Sequence, residues 1–178
     1  VGREGRVVGV DRNADMLALS RGAAPVVAEA IGYFNVEFRE GAIEALESLG
    51  TDGVPLVADA SVDVVLSNCV LNLVNPSARD RLLDNIRRVL APGGRVAISD
   101  IVCDQPVPLA LQQDPELWSG CISGAWLEQA FLDDFRSLGF EQVRYADRSE
   151  SPWRVVDGIE FRAVTLVGEL PGVSRPCC

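Results

Sequence analysis

Two cysteines set in unlike surroundings offer the most specific chemistry in this chain. Cys69 lies in Ser67-Asn-Cys-Val-Leu-Asn-Leu73, where an apolar run gives way to polar residues. Cys121 lies in Trp118-Ser-Gly-Cys-Ile-Ser-Gly-Ala125, where glycines and serines let the backbone bend around something. A cysteine sulfur is a soft ligand for metals and metalloids rather than an acid–base group. The competing reading makes each a small buried apolar residue, with Cys121 packed near Trp118. Asn68, beside Cys69, can hydrogen-bond the amino or carboxyl group of a zwitterion.

A second group of residues suits a nucleoside. Asp11 ends the apolar run Arg6-Val-Val-Gly-Val-Asp11. An acid at the carboxyl end of a strand in a doubly wound sheet faces the ligand edge, where it can accept hydrogen bonds from both ribose hydroxyls. Capping the following helix is its alternative role. Gly41-Ala-Ile-Glu44 closes the next strand on the same edge. A glycine there lets the backbone pass close to a ring, and Ile43 can cover the flat face of an adenine; an ordinary turn and helix start is the alternative. Both groups are expected to converge on one rim of the sheet.

What is absent narrows the chemistry further. The chain has no histidine, and all 16 basic residues are arginine. Ser-His-Asp and Cys-His catalysis, histidine-based zinc sites, Schiff-base chemistry and the lysine of a phosphate-binding loop are therefore excluded. A formal charge of −10 argues against nucleic acid, whose phosphates demand a basic surface. No apolar run approaches 18 residues, so neither a membrane span nor a signal-like start is expected. Five cysteines form no disulfide framework, and free thiols in a reducing cytoplasm are the expectation. Cys177 and Cys178, adjacent at the end, could capture soft metals or metalloids.

These residues need an α/β scaffold. With 178 residues one domain is expected, and 48% apolar against 24% charged residues is an ordinary globular balance. Strands are predicted over residues 6–11, 35–41, 62–68 and 94–102, with an antiparallel pair over 142–148 and 160–168. Helices are predicted after Asn13, over 42–49, over 77–90 with a stop at Ala91-Pro-Gly-Gly94, and over 126–138 with a stop at Gly139. Residues 103–118 read as an irregular loop, and 169–178 as a loose tail.

Taken together, the motifs resemble the arsenite methyltransferases. They are Val7-Val-Gly-Val-Asp11 through Met16-Leu17, Asn35-Val-Glu-Phe38, Gly41-Ala-Ile-Glu44, Asp63 through Leu73, Leu90-Ala-Pro-Gly-Gly94, Ser99-Asp-Ile-Val102 and Trp118 to Ala125. The match runs in register from Val1 to Val167. The pairing of Ser-Asn-Cys-Val-Leu-Asn-Leu with Trp-x-x-Cys-Ile-x-Gly-Ala is its narrowest part. The resemblance implies an α/β, Rossmann-like sheet that binds S-adenosylmethionine (SAM), mostly parallel with an antiparallel C-terminal strand pair. It implies that Asp11 holds the ribose, that Met16 lines the same pocket, that Ile43 and Glu44 surround the adenine, and that Asn68 and Val70 lie beside the methionine portion. Cys69 and Cys121 match two family thiolates that hold trivalent arsenic. As(III) prefers thiolates and keeps a lone pair pointing away from them. Attack by that lone pair on the sulfonium methyl needs no histidine or lysine base.

The sequence departs from the family where the first strand and its glycine-rich turn are expected, and in most of a C-terminal domain. The expectation is a partial methyltransferase domain over 1–168, with 103–125 as a substrate-side loop and 169–178 as a tail. Such a chain would bind SAM more weakly than one carrying the upstream segment. Loss of a mid-sheet strand leaves unpaired strand edges. Truncation is the leading explanation, and a homodimer through those edges is the alternative.

Overall fold

The computed structural model describes residues 1–50 and 53–172. The chain falls into two compact units, Val1–Ala58 and Asp59–Cys178. Cys177 and Cys178 lie outside the described residues.

The first unit is a β–α–β element. Strand β1 (Val7–Asp11) pairs in parallel with β2 (Val36–Glu40), in a register that sets Asp11 opposite Glu40. Helix α1 (Ala14–Ile31) joins them. Its start is fixed by Asn13, whose side chain accepts hydrogen bonds from the Asp15 and Met16 backbone N–H groups, and its end by Gly32 at φ 79°. The helix expected over 42–49 does not form. One 3-10 turn, Ile43–Ala45, is followed by a bridge between Leu49 and Pro55. Leu56 N–H donates to Ser48 O and Val57 N–H to Leu46 O, so the chain doubles back where a helix needs those carbonyls.

The second unit is built on a six-stranded mixed sheet. Strand β3 (Val62–Asn68) pairs in parallel with β4 (Leu90–Cys103), which pairs antiparallel with β8 (Ile159–Glu169), and β8 in turn with β6 (Glu141–Arg148). Two short strands flank this path. The strand β5 (Trp126–Leu127) lies parallel to the end of β4, and β7 (Arg154–Val156) forms a hairpin with β8. That hairpin, absent from the sequence reading, turns at Asp157-Gly158, both at positive φ. Among the described residues, β1 pairs only with β2 and β3 only with β4.

Helix α2 (Arg79–Val89) buries Leu82, Leu83, Ile86 and Val89 and turns Arg81 and Arg87 outward. Ala91-Pro-Gly-Gly94 stops it as expected, but the chain is already in β4. The pairing passes from Val62–Leu90 to Val64–Arg95, so the turn loops out as a bulge, with Gly93 at φ 79°. The 103–118 segment, expected to be irregular, holds two short helices, α3 (Leu109–Gln112) and α4 (Pro115–Ser119). Asp114 caps α4 by accepting from Glu116 and Leu117 N–H, and Pro115 follows it at the first helical position. Helix α5 (Glu128–Ser137) buries Phe131 and Phe135.

Along β4, Val96, Ile98 and Asp100 face inward. On β3, Leu66 is 74% exposed although it closes the apolar run Val64-Val65-Leu66. This contrast sets an expected outcome for urea denaturation. Ile98→Ala lowers the folding free energy by about 2–4 kcal/mol, because it empties a fully buried position. Leu66→Glu changes it by less than about 0.5 kcal/mol.

Candidate functional site

The thiol pair forms where two loops of the second unit meet the end of β4. The β3 strand ends at Asn68, and the chain turns at once: Cys69 sits at φ 54° and donates its backbone N–H to Ser99 O at 2.8 Å. A 3-10 turn, Leu71–Leu73, follows. The second loop leaves α4 at Gly120 and passes Cys121 at φ 60°. Cys121 Sγ donates to Cys69 O at 3.5 Å, which sets the two thiol-bearing residues side by side. Cys69 Sγ lies 3.8 Å from Asn68 Oδ1. Cys69 is exposed and Cys121 buried, so the pair has one open side.

Both cysteines occupy the left-handed backbone region, which is uncommon for residues with a Cβ and costs about 1–2 kcal/mol each. Strain of this kind persists where the surrounding structure over-determines the backbone. Here hydrogen bonds from Cys69 N–H to Ser99 O and from Cys121 N–H to Trp118 O do so.

Burial governs the protonation of the pair. It pushes the Cys121 thiol up to about 11, helped by the charge of Asp100 and by Cys69. The same desolvation, with Asp100 again, raises Cys69, partly offset by a hydrogen bond from Cys121. Asp100 is 3% exposed, accepts from Ile101 N–H at 2.9 Å and Asn72 N–H at 3.3 Å, and has its own carboxyl pushed up by burial. At neutral pH both thiols therefore carry their protons.

Other polar residues frame the pair, and sequence reasoning assigned them no role. Asn72 is fully buried; its Nδ2 donates to Ile101 O at 2.7 Å and to Cys121 O at 3.1 Å. Arg79 stacks 3.8 Å over the Trp126 ring and donates to Gly124 O. The usable signal was polarity out of place, in Asn72 between two leucines and Asp100 inside an apolar strand. Cys103, at the end of β4, packs in the core with Phe161 and Ile122. Its Sγ donates to Trp126 O at 3.2 Å. Among the described residues no group of three or more potential metal-ligating Cys, Asp or Glu side chains gathers.

The nucleoside-type residues of the first unit collect at the carboxyl end of β1. Asp11 Oδ1 accepts from Asn13 N–H at 2.9 Å, and Asp11 O accepts from Gly41 N–H at 2.9 Å. Among the described residues the second carboxylate oxygen of Asp11 has no hydrogen-bond partner. An added Cβ at Gly41 would meet the end of the Leu56 side chain, so Leu56 packs directly over this glycine. An open cleft of about 800 Å³ lies beside Arg12, Gly41, Ala42, Ala45 and Leu56. Glu44 faces Arg12 at 3.8 Å, Ile43 is half-buried, and Met16 is 46% exposed. In the second unit Asn68 and Val70 are exposed on either side of Cys69.

Comparison with known proteins places this arrangement in a class. A family described as a methyltransferase domain matches residues 1–146, and the chain belongs to it. Its fold is that of the SAM-dependent methyltransferases. A protein of that description from Methanosarcina mazei superposes with a TM-score of 0.62 at 17% identity, over 94% of this chain and 82% of that one.

Within the class, the similarity is to arsenic enzymes. The arsenite methyltransferase of Halobacterium salinarum is 42% identical over 156 residues, covering 85% of this chain and 35% of the relative. That of Aquipseudomonas alcaligenes is 38% identical over 157 residues, covering 88% and 42%. An arsenic(III) S-adenosylmethionine methyltransferase from Chlamydomonas reinhardtii superposes with a TM-score of 0.80 at 29% identity, over 98% of this chain and 58% of that one. The chain spans about two-fifths or less of the length of these curated relatives.

Two outcomes follow from the backbone and the burial. Cys69→Gly keeps or raises stability, by up to about 1 kcal/mol, because glycine accepts positive φ freely. Cys69→Val lowers it by about 1–2 kcal/mol, since a β-branched residue is least tolerant there; thermal melts rank the three. Alkylation of Cys121 by iodoacetamide climbs about tenfold per pH unit and levels off only near pH 11, as thiolate forms. A plateau near pH 8 would show an unburied thiol.

Proposed function

We propose that this chain carries a SAM-dependent methyltransferase site whose acceptor is trivalent arsenic held by Cys69 and Cys121. The observation that carries this reading is the adjacency of two protonated thiols, borne by separate loops and each held at positive φ. The names of the two curated arsenite methyltransferases and of the algal structure support it.

The chemistry suits the groups present. Arsenous acid condenses with two thiols: two S–H and two As–O bonds break, two As–S and two O–H bonds form, and two waters leave. The oxidation state does not change. The thiol protons depart on the displaced hydroxides, so raised thiol pKa values are no obstacle and no separate base is required. The arsenic lone pair then points away from the sulfurs.

SAM, when bound, supplies an electrophilic methyl on a sulfonium centre. Asp11 would accept the ribose hydroxyls, with Met16 lining the pocket and Ile43 and Glu44 beside the adenine. Asn68 and Val70 would stand by the methionine portion. The position of Asp11 at the end of its strand, with one carboxylate oxygen bonded to Asn13 N–H, fits the ribose assignment.

Isothermal titration tests the reading. Arsenite is expected to bind with one arsenic per chain and to lose at least tenfold in affinity in both Cys69→Ser and Cys121→Ser, while SAM binding persists in each. A second reading, methylation of a small organic acceptor, draws on 34% identity over 117 residues to an O-methyltransferase of Aspergillus sclerotiorum. SAM binding without arsenite binding would favour it.

A further inference from the structure

The thiols lie 52 positions apart in sequence, on loops with no shared strand pairing, so something must hold one loop to the other. Asn72 stands between them. Its position is fixed from the backbone side, since its N–H donates to the buried carboxylate of Asp100. Both hydrogens of its side-chain amide are committed, one to Ile101 O on β4 and one to Cys121 O on the second loop. Two carbonyl acceptors admit only the NH₂ group, so the amide cannot flip. Its own Oδ1 is buried without a partner, a cost the site bears to keep this orientation.

A second, independent observation lies three residues beyond Cys121. An added Cβ at Gly124 would overlap the Asn72 main-chain oxygen, so the loops touch backbone to backbone at that point. Arg79 donates to the Gly124 carbonyl, which fixes the loop further at this point.

We propose that Asn72 is a positioning residue for the thiol pair, its amide tying the Cys121 loop to β4 and the Cys69 turn so that one soft atom can bridge both sulfurs. This inference rests on the reading of Cys69 and Cys121 as a shared ligand pair. It assigns Asn72 no contact with the bridged atom; its effect is on the chelate, through the Cys121 backbone.

The test uses phenylarsine oxide, an arsenic(III) probe that needs two thiols. The wild-type chain is expected to bind one equivalent and to protect Cys69 and Cys121 together from iodoacetamide, read by mass spectrometry of the cysteine peptides. Asn72→Ala and Asn72→Asp are each expected to bind the probe about 10–100-fold more weakly, in the range found for residues that orient a ligand from behind. The carboxylate of Asn72→Asp presents oxygen to two carbonyls and so does not rescue. One-thiol alkylation of Cys69 stays within about twofold of wild type, a split that general loosening would not give. Cys103, fully buried in the core, reports on folding by staying unreactive.

Undiminished probe binding in both folded variants overturns the role of Asn72 and leaves the thiol pair standing. A wild-type chain that binds no probe brings down the pair and this inference with it. Should both variants expose Cys103, hydrogen exchange of the Asn72 side-chain amide in the wild-type protein decides. Slow exchange that slows further with probe supports the proposal, and rapid exchange in both states overturns it.

Discussion

The last five residues of β4 are the constraint on which the second unit's chemistry depends. Ser99 O takes the Cys69 N–H, Asp100 takes the Asn72 N–H, and Ile101 O takes the Asn72 amide. Val102 and Cys103 pair with Trp126 and Leu127 at the far end of the Cys121 loop. A central strand is rigid because its neighbours satisfy it on both edges, and β4 has β3 on one side and β8 on the other. Two loops that would otherwise drift are therefore referred to one fixed line. Strain at φ 54° and φ 60° is tolerable only on such a base.

Electrostatics around the pair run against ready ionisation. Asp100 is buried, and its charge, with desolvation, raises both thiols. An enzyme that used cysteine as a nucleophile would need the opposite, a cation or helix N-terminus lowering the thiol. A chain without histidine or lysine has few means to provide that. A pair that stays protonated until a soft centre displaces its hydrogens suits ligation better than attack, and a protonated thiol is also slower to oxidise.

Much of this was legible in the sequence because periodicity and punctuation are local. Asn13, Gly139 and Ala91-Pro-Gly-Gly94 marked boundaries, and the amphipathic spacing of Leu82 to Val89 marked α2. What failed was set by distant contacts. The segment 42–49 has helical spacing, but hydrogen bonds from Leu56 and Val57 pull it into a doubled-back turn. The hairpin strand β7 is too short to show a pattern, and the 103–118 helices depend on Asp114 and proline in a stretch with little apolar period. Motif resemblance pointed to Cys69 and Cys121, yet nothing in one dimension could show that Asn72 reaches Cys121 across 49 residues.

The separation of the two sulfurs has a thermodynamic consequence. An atom bonded to both would staple a loop of 52 residues, as a disulfide does, and would remove conformational freedom mainly from the unfolded chain. Any atom bonded to both sulfurs would therefore raise the melting temperature of the folded chain. A chain with the two sulfurs bridged would resist heat and proteolysis better than the same chain with them free.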